Sequence, residues 1–331
     1  MIITKTPYRI SFFGGGTDFP SWYKKHGGSV LSTTINKYCY VTCRYLPPFF
    51  NETHRIVYSK IELTKNINEI NHPLVRESIK YSRIKKGLEI HHHGDLPGWS
   101  GMGTSSSFTV GLLKALYSLK GEMIDSRKLA LDAIKVEQEK VKDTVGSQDQ
   151  VAASFGGLNK IDFLPSGKIN VNPIILSPKR LSDFQSHLLL FFTGIVRRSS
   201  DIEKEKVDNF HQNKETLTRM TEMVNEGVKI LKNGNLNDFG KLMHETWMLK
   251  KTLSGQVSNS EIEKLYNNAL NAGAIGGKLL GAGGGGFFLL FVSPQKHRSV
   301  RKKMKELKFM EVPFEFEISG SEIIFYHPNL I

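Results

Sequence analysis

The pattern of apolar and polar positions in the first half of the chain predicts short strands mixed with helices. Alternating or continuously apolar segments bounded by turn-forming residues are typical of strands, whereas apolar residues three or four positions apart indicate helices. By these criteria strands are predicted at Tyr8–Phe13, Ser29–Ile35, Tyr38–Tyr45, Arg55–Leu63 and Leu88–His93, and helices at Pro73–Lys86, Ser106–Leu119 and Ser126–Lys142. The first half is therefore expected to combine sheet and helix.

The second half combines longer helical patterns with short apolar strands. Strands are predicted at His187–Phe192 and Phe287–Val292, and helices at Asp201–Leu231, Leu236–Leu253, Ser260–Ala272 and Gln295–Leu307. The alternation in Val312–Ile318, the turn residues Ser319–Ser321 and the apolar run Ile323–Tyr326 predict a closing hairpin. This order indicates a two-domain α+β protein, and the polar stretch Ser177–Ser186 divides it into residues 1–180 and 181–331.

Length and composition agree with two soluble domains. The 331 residues, 39% of them hydrophobic, exclude a disordered chain and suffice for about two domains. Apolar runs such as Leu188–Phe192 are far shorter than the ~20 residues of a membrane-spanning helix, and Met1–Gly14 lacks a signal-peptide pattern. We therefore expect a cytoplasmic protein without a membrane partner. Cys39 and Cys43 lie about 13 Å apart on one predicted strand, which predicts buried thiols rather than a disulfide.

The chain carries a formal net charge of +13, from 45 Lys and Arg against 32 Asp and Glu. Such an excess suits nucleic acid, a membrane surface or anionic small molecules. Much of it lies in Lys296–Lys308, where Val300, Met304 and Leu307 form a narrow apolar stripe and the cations are expected to face solvent. The sequence has no zinc-finger, RNP-type or convincing basic-zipper motif, so we expect phosphorylated small molecules rather than nucleic acid.

The most informative glycine-rich segment, Asp95–Ser107, leads directly into a helical pattern. Glycines at positions 98, 101 and 103 precede several consecutive hydroxyl residues. A loop with little side-chain bulk that delivers backbone N–H groups to a helix N-terminus is a ready anion site, and phosphate is its natural occupant. A serine-rich helix cap is the alternative, although one cap residue would be enough for that purpose.

A second glycine-rich segment, Gly281–Gly286, formally satisfies the pattern GxGxxG. It precedes the predicted strand Phe287–Val292 instead of opening a helix, which argues against a Rossmann dinucleotide site. Gly277 and Lys278 are followed by leucine rather than serine or threonine, which argues against a Walker P-loop. We expect this segment either to form a tight turn at the domain boundary or to allow close backbone approach to a substrate or to the phosphate loop.

The third segment, Pro7–Asp18, places Arg9 and Asp18 around a strand and a triple-glycine turn, for which a bulge or plain turn is the alternative. Taken in their order along the chain, the three segments resemble the motifs of the GHMP kinases. This is the family of galactokinase and of the homoserine, mevalonate and phosphomevalonate kinases. The resemblance extends over essentially the whole chain. The branch of bacterial D-glycero-D-manno-heptose 7-phosphate kinases is resembled in three runs: Gly14–Asp18, Ser147–Gln150 followed by Phe155–Gly157, and Gly281–Gly286.

Two departures from the family pattern are informative. Gly101–Ser106 has methionine and threonine where leucine and serine are usual, side chains of similar character. Gly15 and Gly16 replace the Glu–His of galactokinase-like enzymes, which argues against a plain galactose specificity.

The resemblance implies a fold and a reaction. The fold is an N-terminal domain like domain 2 of ribosomal protein S5 and a ferredoxin-like C-terminal domain, with the active site between them. The reaction is phosphoryl transfer from ATP with Mg²⁺. The residues implied to bind the ATP phosphates are Gly98, Ser100, Gly101, Met102, Gly103, Thr104, Ser105 and Ser106, and those implied to bind the acceptor are Gly15, Gly16, Thr17, Asp18, Gly283 and Gly284.

Glu137 falls within the apolar arc of the predicted helix Ser126–Lys142. A carboxylate in that position is costly unless a cation or hydrogen bonds compensate it. The resemblance implies that Mg²⁺ supplies the cation, coordinated by Glu137, the Ser105 hydroxyl and the ATP phosphates. A Glu137 satisfied by N–H groups or by a salt bridge is the alternative.

Asp149 and Arg9 are the implied catalytic residues. Asp149 follows Glu137 by twelve residues, the spacing of magnesium ligand and catalytic aspartate in galactokinase-like members, and Arg9 resembles the cation that pairs with this aspartate. Asp149 would orient the attacking hydroxyl or accept its proton, while Arg9 keeps Asp149 ionised and helps to neutralise the transferring group. A helix N-cap for Asp149 and a surface position for Arg9 are the alternatives.

The implied acceptor is the anomeric hydroxyl of a heptose 7-phosphate, in GDP-heptose synthesis for capsule or surface polysaccharide. Another sugar such as L-fucose or a hexose, and a non-catalytic sugar sensor, are the alternatives; monomer and homodimer are both open. The second phosphate needs a basic site, for which Arg197 with Arg198, or Lys250 with Lys251, are candidates. We interpret His91–His93 as a polar strand end, because no acidic or cysteine partner is spaced nearby to complete a metal site.

Overall fold

The structure, a computed structural model, describes residues 1–196 and 200–328, apart from the side chains of residues 200 and 201. The elements of the first half are β1 (Ile2–Phe13), α1 (Pro20–His26), β2 (Gly28–Tyr45), β3 (His54–Val57), β4 (Ile61–Thr64), α2 (Pro73–Ser82), β5 (Leu88–Gly94), α3 (Thr104–Leu119), α4 (Ser126–Lys135), α5 (Gln148–Phe155), β6 (Asn159–Phe163), β7 (Ile169–Pro173) and α6 (Pro178–Gln185). Those of the second half are β8 (Leu188–Phe192), α7 (Ser200–Asp208), α8 (Lys214–Asn233), α9 (Leu236–Thr252), α10 (Ser260–Asn271), β9 (Ala274–Leu279), β10 (Phe287–Val292), α11 (His297–Glu306), β11 (Met310–Glu311), β12 (Phe316–Glu317) and β13 (Glu322–Tyr326). Short 3₁₀ helices occupy Ile67–Glu69 and Pro294–Lys296, and a π-helix follows α4 at Val136–Val141.

The first sheet has the order β13-β1-β2-β5-β3-β4, and β6, β7 and β12 attach to it through β2. Its β3–β5 pair is parallel, whereas the central β1–β2 and β2–β5 pairs are antiparallel. Helix α3 packs against β1 and β2 and buries residues such as Leu112 and Leu116 in the core between them. This packing fixes the N-terminus of α3 beside the end of β1.

The second sheet is antiparallel and has the order β11-β8-β10-β9. Helices α7 to α10 lie between β8 and β9 in sequence, and α11 lies between β10 and β11, so the unit has the β-α-β-β-α-β order of ferredoxin-like folds. Strand β10 is buried along its whole length, which explains its uninterrupted apolar sequence. The predicted two-domain α+β architecture is confirmed.

Two predicted strand boundaries in the first half are wrong. β2 is one strand rather than two, because Asn36 and Lys37 form a bulge between the residues that pair with Pro7 and Tyr8. The strand predicted over Arg55–Leu63 is instead the antiparallel hairpin of β3 and β4.

The single helix predicted over Asp201–Leu231 is divided into α7 and α8. The segment between them contains Asn209, His211 and Asn213, which are weak helix formers. Phe210 in this break packs against Phe19 and Trp22 instead of continuing a helical stripe. The break therefore ends α7 at Asp208, and α8 begins at Lys214.

The end of the chain does not form the predicted hairpin. β12 pairs with β2, and β13 pairs with β1 at the edge of the first sheet. Between them the N–H of Ser321 donates to the carbonyl of Ala153, and a Cβ on Gly320 would lie 2.2 Å from the carbonyl oxygen of Ser154. This contact with α5 favours a crossing segment over a tight turn. The division into residues 1–180 and 181–331 stays a prediction, with the correction that residues 316–326 pair with the first sheet.

Other predictions about the scaffold agree with the structure. Cys39 and Cys43 are free and buried, and burial raises the pKa of both thiols. Helix α11 buries Val300 and Met304 and exposes most of its cations. Among the described residues, no helix combines the length and hydropathy that a membrane span requires.

Candidate active site

One cleft is lined by both halves of the chain. The sequence-predicted residues that line it are Arg9, Gly15, Gly16, Asp18, Gly101, Gly103, Thr104, Ser105, Ser106, Asp149 and Gly283. The predicted residues Thr17, Gly98, Ser100, Met102, Glu137 and Gly284 do not line it. The cleft is the candidate active site because it brings the three glycine-rich segments together.

Arg9 and Asp149 form a bidentate ion pair in the cleft wall. Arg9 lies on β1 and is 4% exposed, and its Nε and Nη2 each donate to one carboxylate oxygen of Asp149 at 2.7 Å. The remaining Nη1 donates to the carbonyl of Gly101 at 2.6 Å. One planar guanidinium therefore positions the carboxylate and the phosphate loop relative to each other. The catalytic roles of the two residues stay predictions.

Asp18 is a buried carboxyl group held by backbone N–H donors. The N–H of Gly16 donates to Oδ1 at 3.0 Å, and the N–H of Gln148 donates to Oδ2 at 3.2 Å. Gly146 leaves room for it, since a Cβ there would lie 1.9 Å from Oδ2. Burial, assisted by the charge of Asp149, raises the pKa of Asp18 to about 6. Near neutral pH Asp18 is therefore still mostly ionised, and it can accept a hydrogen bond from a substrate hydroxyl.

Two polar side chains in the cleft wall were missed by sequence reasoning. Ser11 Oγ and Gln148 Oε1 are buried and have no hydrogen-bond partner in the described part of the chain. Both residues flank Gly15, whose Cβ would lie 3.8 Å from Ser11 Oγ and 3.7 Å from Gln148 Nε2. An acceptor rich in hydroxyl groups would satisfy these atoms. Ser11 could have been found, because it is two residues from Arg9 on a predicted strand and shares its face.

The phosphate loop ends where α3 begins at Thr104. Gly103 precedes it with φ of +73°, a left-handed conformation that favours glycine. The first N–H groups of a helix have no acceptor inside it, so this end of α3 presents donors beside Ser105 and Ser106. The arrangement suits the phosphates of a nucleotide.

Glycines allow the segment 281–286 to touch the phosphate loop directly. A Cβ on Gly101 would lie 2.4 Å from the carbonyl oxygen of Leu280, and one on Gly281 would lie 2.3 Å from the Cα of Gly101. A Cβ on Gly286 would lie 2.1 Å from the carbonyl oxygen of Ser100. Of the two expectations for this segment, the structure shows close approach to the phosphate loop.

Most of the predicted residues outside the cleft wall are buried or make hydrogen bonds within their own loops. Ser100 Oγ donates to a carbonyl of its own loop at 2.7 Å, and Met102 is fully buried. Thr17 Oγ1 donates to the carbonyl of Gly14 at 2.8 Å, which closes the triple-glycine turn. Gly98 is exposed, and the N–H of Gly284 is bonded to a backbone carbonyl.

Glu137 lies in the π-helix that follows α4, behind the phosphate loop. Its Oε2 accepts hydrogen bonds from Ser106 Oγ at 2.9 Å and from Gln150 Nε2 at 2.8 Å, whereas its Oε1 is buried with no hydrogen-bond partner in the described residues. Burial raises the pKa of Glu137 to about 7, because desolvation disfavours the charged form. The inward direction predicted from the apolar arc is confirmed.

These atoms fit a hard divalent cation. An unpartnered carboxylate oxygen and a hydroxyl that lines the cleft are oxygen ligands of the kind that Mg²⁺ takes together with phosphate oxygens. The hydroxyl that touches Glu137 belongs to Ser106, whereas Ser105 is exposed in the cleft. Ser106 with Glu137 is therefore a better-supported pair than the predicted Ser105 with Glu137.

Three lysines line the cleft on separate elements: Lys206 on α7, Lys250 on α9 and Lys278 on β9. All are nearly fully buried. Their ammonium groups donate to backbone carbonyls, namely Lys206 to Ala282, Lys250 to Leu279 and Gly281, and Lys278 to Phe12. Burial, with the positive charges nearby, lowers the pKa of Lys278 to about 7 and that of Lys250 well below its usual range.

The other basic candidates do not join this group. Lys251 is on another face of α9, where it pairs with Glu263 at 3.1 Å. Arg197 and Arg198 lie outside the described residues. His91 bonds to Glu89, an acidic neighbour that the sequence interpretation overlooked, but the described residues contain no group of three or more potential metal ligands.

Comparison with known proteins defines the family. The GHMP kinases N terminal domain matches residues 60–157, and the GHMP kinases C terminal domain matches residues 228–308. A D-glycero-alpha-D-manno-heptose 7-phosphate kinase of Campylobacter jejuni is 31% identical, over 96% of this chain and 97% of its own. A galactokinase of Pyrococcus furiosus is 28% identical, over 90% of this chain and 91% of its own. The chain belongs to the GHMP kinase family.

The fold agrees with this family. A solved D-glycero-D-manno-heptose 1-phosphate kinase from Bacteroides thetaiotaomicron superposes with a TM-score of 0.81 at 24% identity, covering 99% of this chain and all of that one. Membership of the family makes the chain a phosphotransferase with an alcohol group as acceptor, an ATP-dependent sugar kinase.

Proposed function

We propose that this kinase phosphorylates the anomeric hydroxyl of D-glycero-D-manno-heptose 7-phosphate, giving the 1,7-bisphosphate. The heptose 7-phosphate kinase of Campylobacter jejuni, aligned over nearly the full length of both chains, supports this acceptor. In the cytoplasm, the product would enter GDP-heptose synthesis for capsule or surface polysaccharide.

The observation that carries the proposal is the Arg9–Asp149 pair beside the phosphate loop in one cleft. Asp149 would accept a hydrogen bond from the anomeric hydroxyl and orient its oxygen toward the γ-phosphorus of ATP. As the O–P bond forms and the bond to ADP breaks, the hydroxyl proton would pass to Asp149. Positioning and charge neutralisation dominate such reactions, and Arg9 is placed to contribute both.

The remaining site residues divide between the two substrates. The N–H groups at the start of α3 would hold the ATP phosphates, and Ser106 with Glu137 would hold Mg²⁺. When bound, Mg²⁺ would neutralise phosphate charge. Asp18, Ser11 and Gln148 would bind sugar hydroxyls, because they present buried polar atoms beside Gly15 and Gly16 in the cleft wall.

The test is magnesium-dependent ADP release with heptose 7-phosphate, mannose, L-fucose, galactose and mannose 6-phosphate as acceptors. The product is located by phosphorus NMR. Preference for heptose 7-phosphate, with a new anomeric phosphate, supports the proposal. Preference for a free sugar keeps the kinase but replaces the substrate, and absence of turnover with every acceptor contradicts the proposal.

A further inference from the structure

The cleft contains two buried basic side chains that are not paired with any of its carboxylates. Arg9 is neutralised by Asp149, and Lys206 has Glu203 at 3.5 Å. Within the described residues, Lys250 and Lys278 have no carboxylate within ion-pair distance and are bonded to backbone carbonyls alone. Buried charges are normally paired, because removing them from water is costly.

These lysines are also brought together from distant parts of the sequence. α7, α9 and β9 each contribute one ammonium group to the same cleft wall. An ammonium has three N–H donors, and the observed carbonyl bonds leave at least one donor free on each lysine. The free donors and the unbalanced charge are the requirements of an oxyanion site.

Building on the proposed function, we infer that Lys206, Lys250 and Lys278 bind the phosphate group that the acceptor sugar already carries, remote from the reacting hydroxyl. A phosphate monoester bears about −1.5 to −2 charges near neutral pH. That charge matches the two ammonium groups left without a carboxylate. The cluster would thus make the kinase selective for a sugar phosphate over the free sugar.

The contacts of the cluster favour the acceptor's phosphate over those of ATP. Lys278 donates to the carbonyl of Phe12, two residues before the triple-glycine turn that leads to Asp18. Lys250 binds the carbonyl of Gly281, whereas the α-carbon of that glycine rests on Gly101 of the phosphate loop. The glycine segment thus contacts the phosphate loop and the lysines through different atoms. The ATP phosphates have their own donors at the start of α3.

The positive charges around Lys250 also favour the binding of an anion to the cluster. Burial above all, and then the charges of Lys206, Lys278 and Arg9, disfavour the charged form of Lys250, whereas Glu203 acts in the opposite direction without offsetting them. A bound phosphate would reverse this effect by supplying the missing counter-charge. Binding should therefore be accompanied by proton uptake.

The test compares the affinity of the full-length protein for heptose 7-phosphate and for the unphosphorylated heptose by calorimetry, without ATP. Wild type should bind the phosphorylated sugar at least about tenfold more tightly. Lys278→Met and Lys250→Met should lose most of that difference while keeping their KM for ATP. Lys251→Met is the matched control, since its ammonium lies outside the cleft, and should behave as wild type. Circular dichroism and thermal unfolding show whether each variant is folded.

The outcomes separate this inference from the proposed function. Equal wild-type affinity for the two sugars, or loss of ATP affinity in the lysine variants, would overturn the phosphate site even if heptose 7-phosphate is turned over. Phosphate-dependent binding without formation of a 1,7-bisphosphate would support the lysine site while removing the proposed reaction. If both lysine variants are unfolded, the affinities of the wild-type protein for mannose 6-phosphate and for mannose are compared instead. Equal affinities overturn the site, and tighter binding of mannose 6-phosphate supports it.

Discussion

Arg9 and Lys278 are both nearly fully buried cations in one cleft, yet their charges are balanced in different ways. Arg9 makes two hydrogen bonds to the carboxylate of Asp149 and one to a backbone carbonyl. Lys278 makes one hydrogen bond to a carbonyl and faces other cations. The first is a completed ion pair, whereas the second lacks its counter-ion.

This difference indicates what each region does. A completed bidentate pair has fixed geometry before any ligand arrives, which suits a group that must orient a reacting atom. An incomplete cluster gains most when an anion enters, which suits recognition of a charged group. The cleft thus combines a preorganised catalytic wall with a wall that a ligand completes.

The largest expected effect comes from removing the carboxylate of the completed pair. Asp149→Asn should lower kcat by about 10²- to 10⁴-fold, because the attacking hydroxyl loses its proton acceptor. ATP affinity should change little, since the phosphate loop holds the nucleotide through separate donors. Steady-state kinetics with calorimetric ATP binding measure both quantities. Asp238→Asn, at an exposed ion pair on α9, is the control, and unchanged turnover in Asp149→Asn would remove Asp149 from its role.

The paired cation Arg9 and the unpaired cation Lys278 should differ in what their removal does to the free energy of unfolding. Arg9→Met leaves the Asp149 carboxylate without its partner and should cost about 3 kcal/mol of unfolding free energy. Lys278→Met removes an unbalanced buried charge and should leave stability at pH 7 unchanged or higher. Urea unfolding of both variants without ligands checks the contrast. Similar losses in the two variants would contradict it.

Glu137 extends the contrast to a buried acid without a cation. Its pKa is raised from the usual value near 4.5 to about 7, so the folded protein retains a proton there that the unfolded chain has released. The stability this group contributes is present at low pH and is lost as pH rises through 7, by up to about 3 kcal/mol. Glu137→Gln should therefore exceed wild type in stability at pH 8, but not near pH 4.5, when magnesium is absent.

Thermal or urea unfolding across this range measures the Glu137 effect. Glu139→Gln, an exposed position in the same π-helix, is the matched control and should follow wild type at each pH. A constant difference between Glu137→Gln and wild type from pH 4.5 to 8 would show that Glu137 is not the titrating group.

The smallest expected effect is the pH dependence of acceptor binding. Lys278, with a pKa lowered to about 7, faces Arg9 of β1, Lys206 and Glu203 of α7, and Lys250 of α9. Above pH 7 it loses its charge in the empty site, so affinity for the sugar phosphate should fall by a few-fold per pH unit, with about tenfold the limit for one linked proton. Calorimetry in buffers of different ionisation enthalpy should show proton uptake at pH 8, and Lys278→Met should reduce it.

The sequence predicted the parts of the site that are contiguous or regularly spaced. The glycine segments, Arg9 on its strand and the inward direction of Glu137 follow from local patterns that the structure retains. Ser106 was not distinguished from Ser105 as the neighbour of Glu137, because neighbouring helical residues point about 100° apart and the helix begins two residues earlier than predicted.

Of the three clustered lysines, only Lys250 was a sequence candidate for a phosphate site, because no local pattern relates it to Lys206 or Lys278. Lys206 lies on α7, whereas the periodicity predicted that it belongs to one continuous helix with the residues of α8. Lys278 follows Gly277 but does not belong to a Walker P-loop, and the sequence indicated no other role for it. The pairing of β13 with β1 was equally inaccessible, since alternation indicates a strand but not its partner.

The position of β13 has a consequence for synthesis of the chain. Ile2 at the start of β1 pairs with Tyr326, so the edge of the first sheet is formed by residues from opposite ends of the sequence. Because a growing chain folds from its N-terminus, β1 must keep an open edge while the whole second sheet is being made. Such edges are templates for mispairing. The first domain to emerge from the ribosome is therefore the last to be finished.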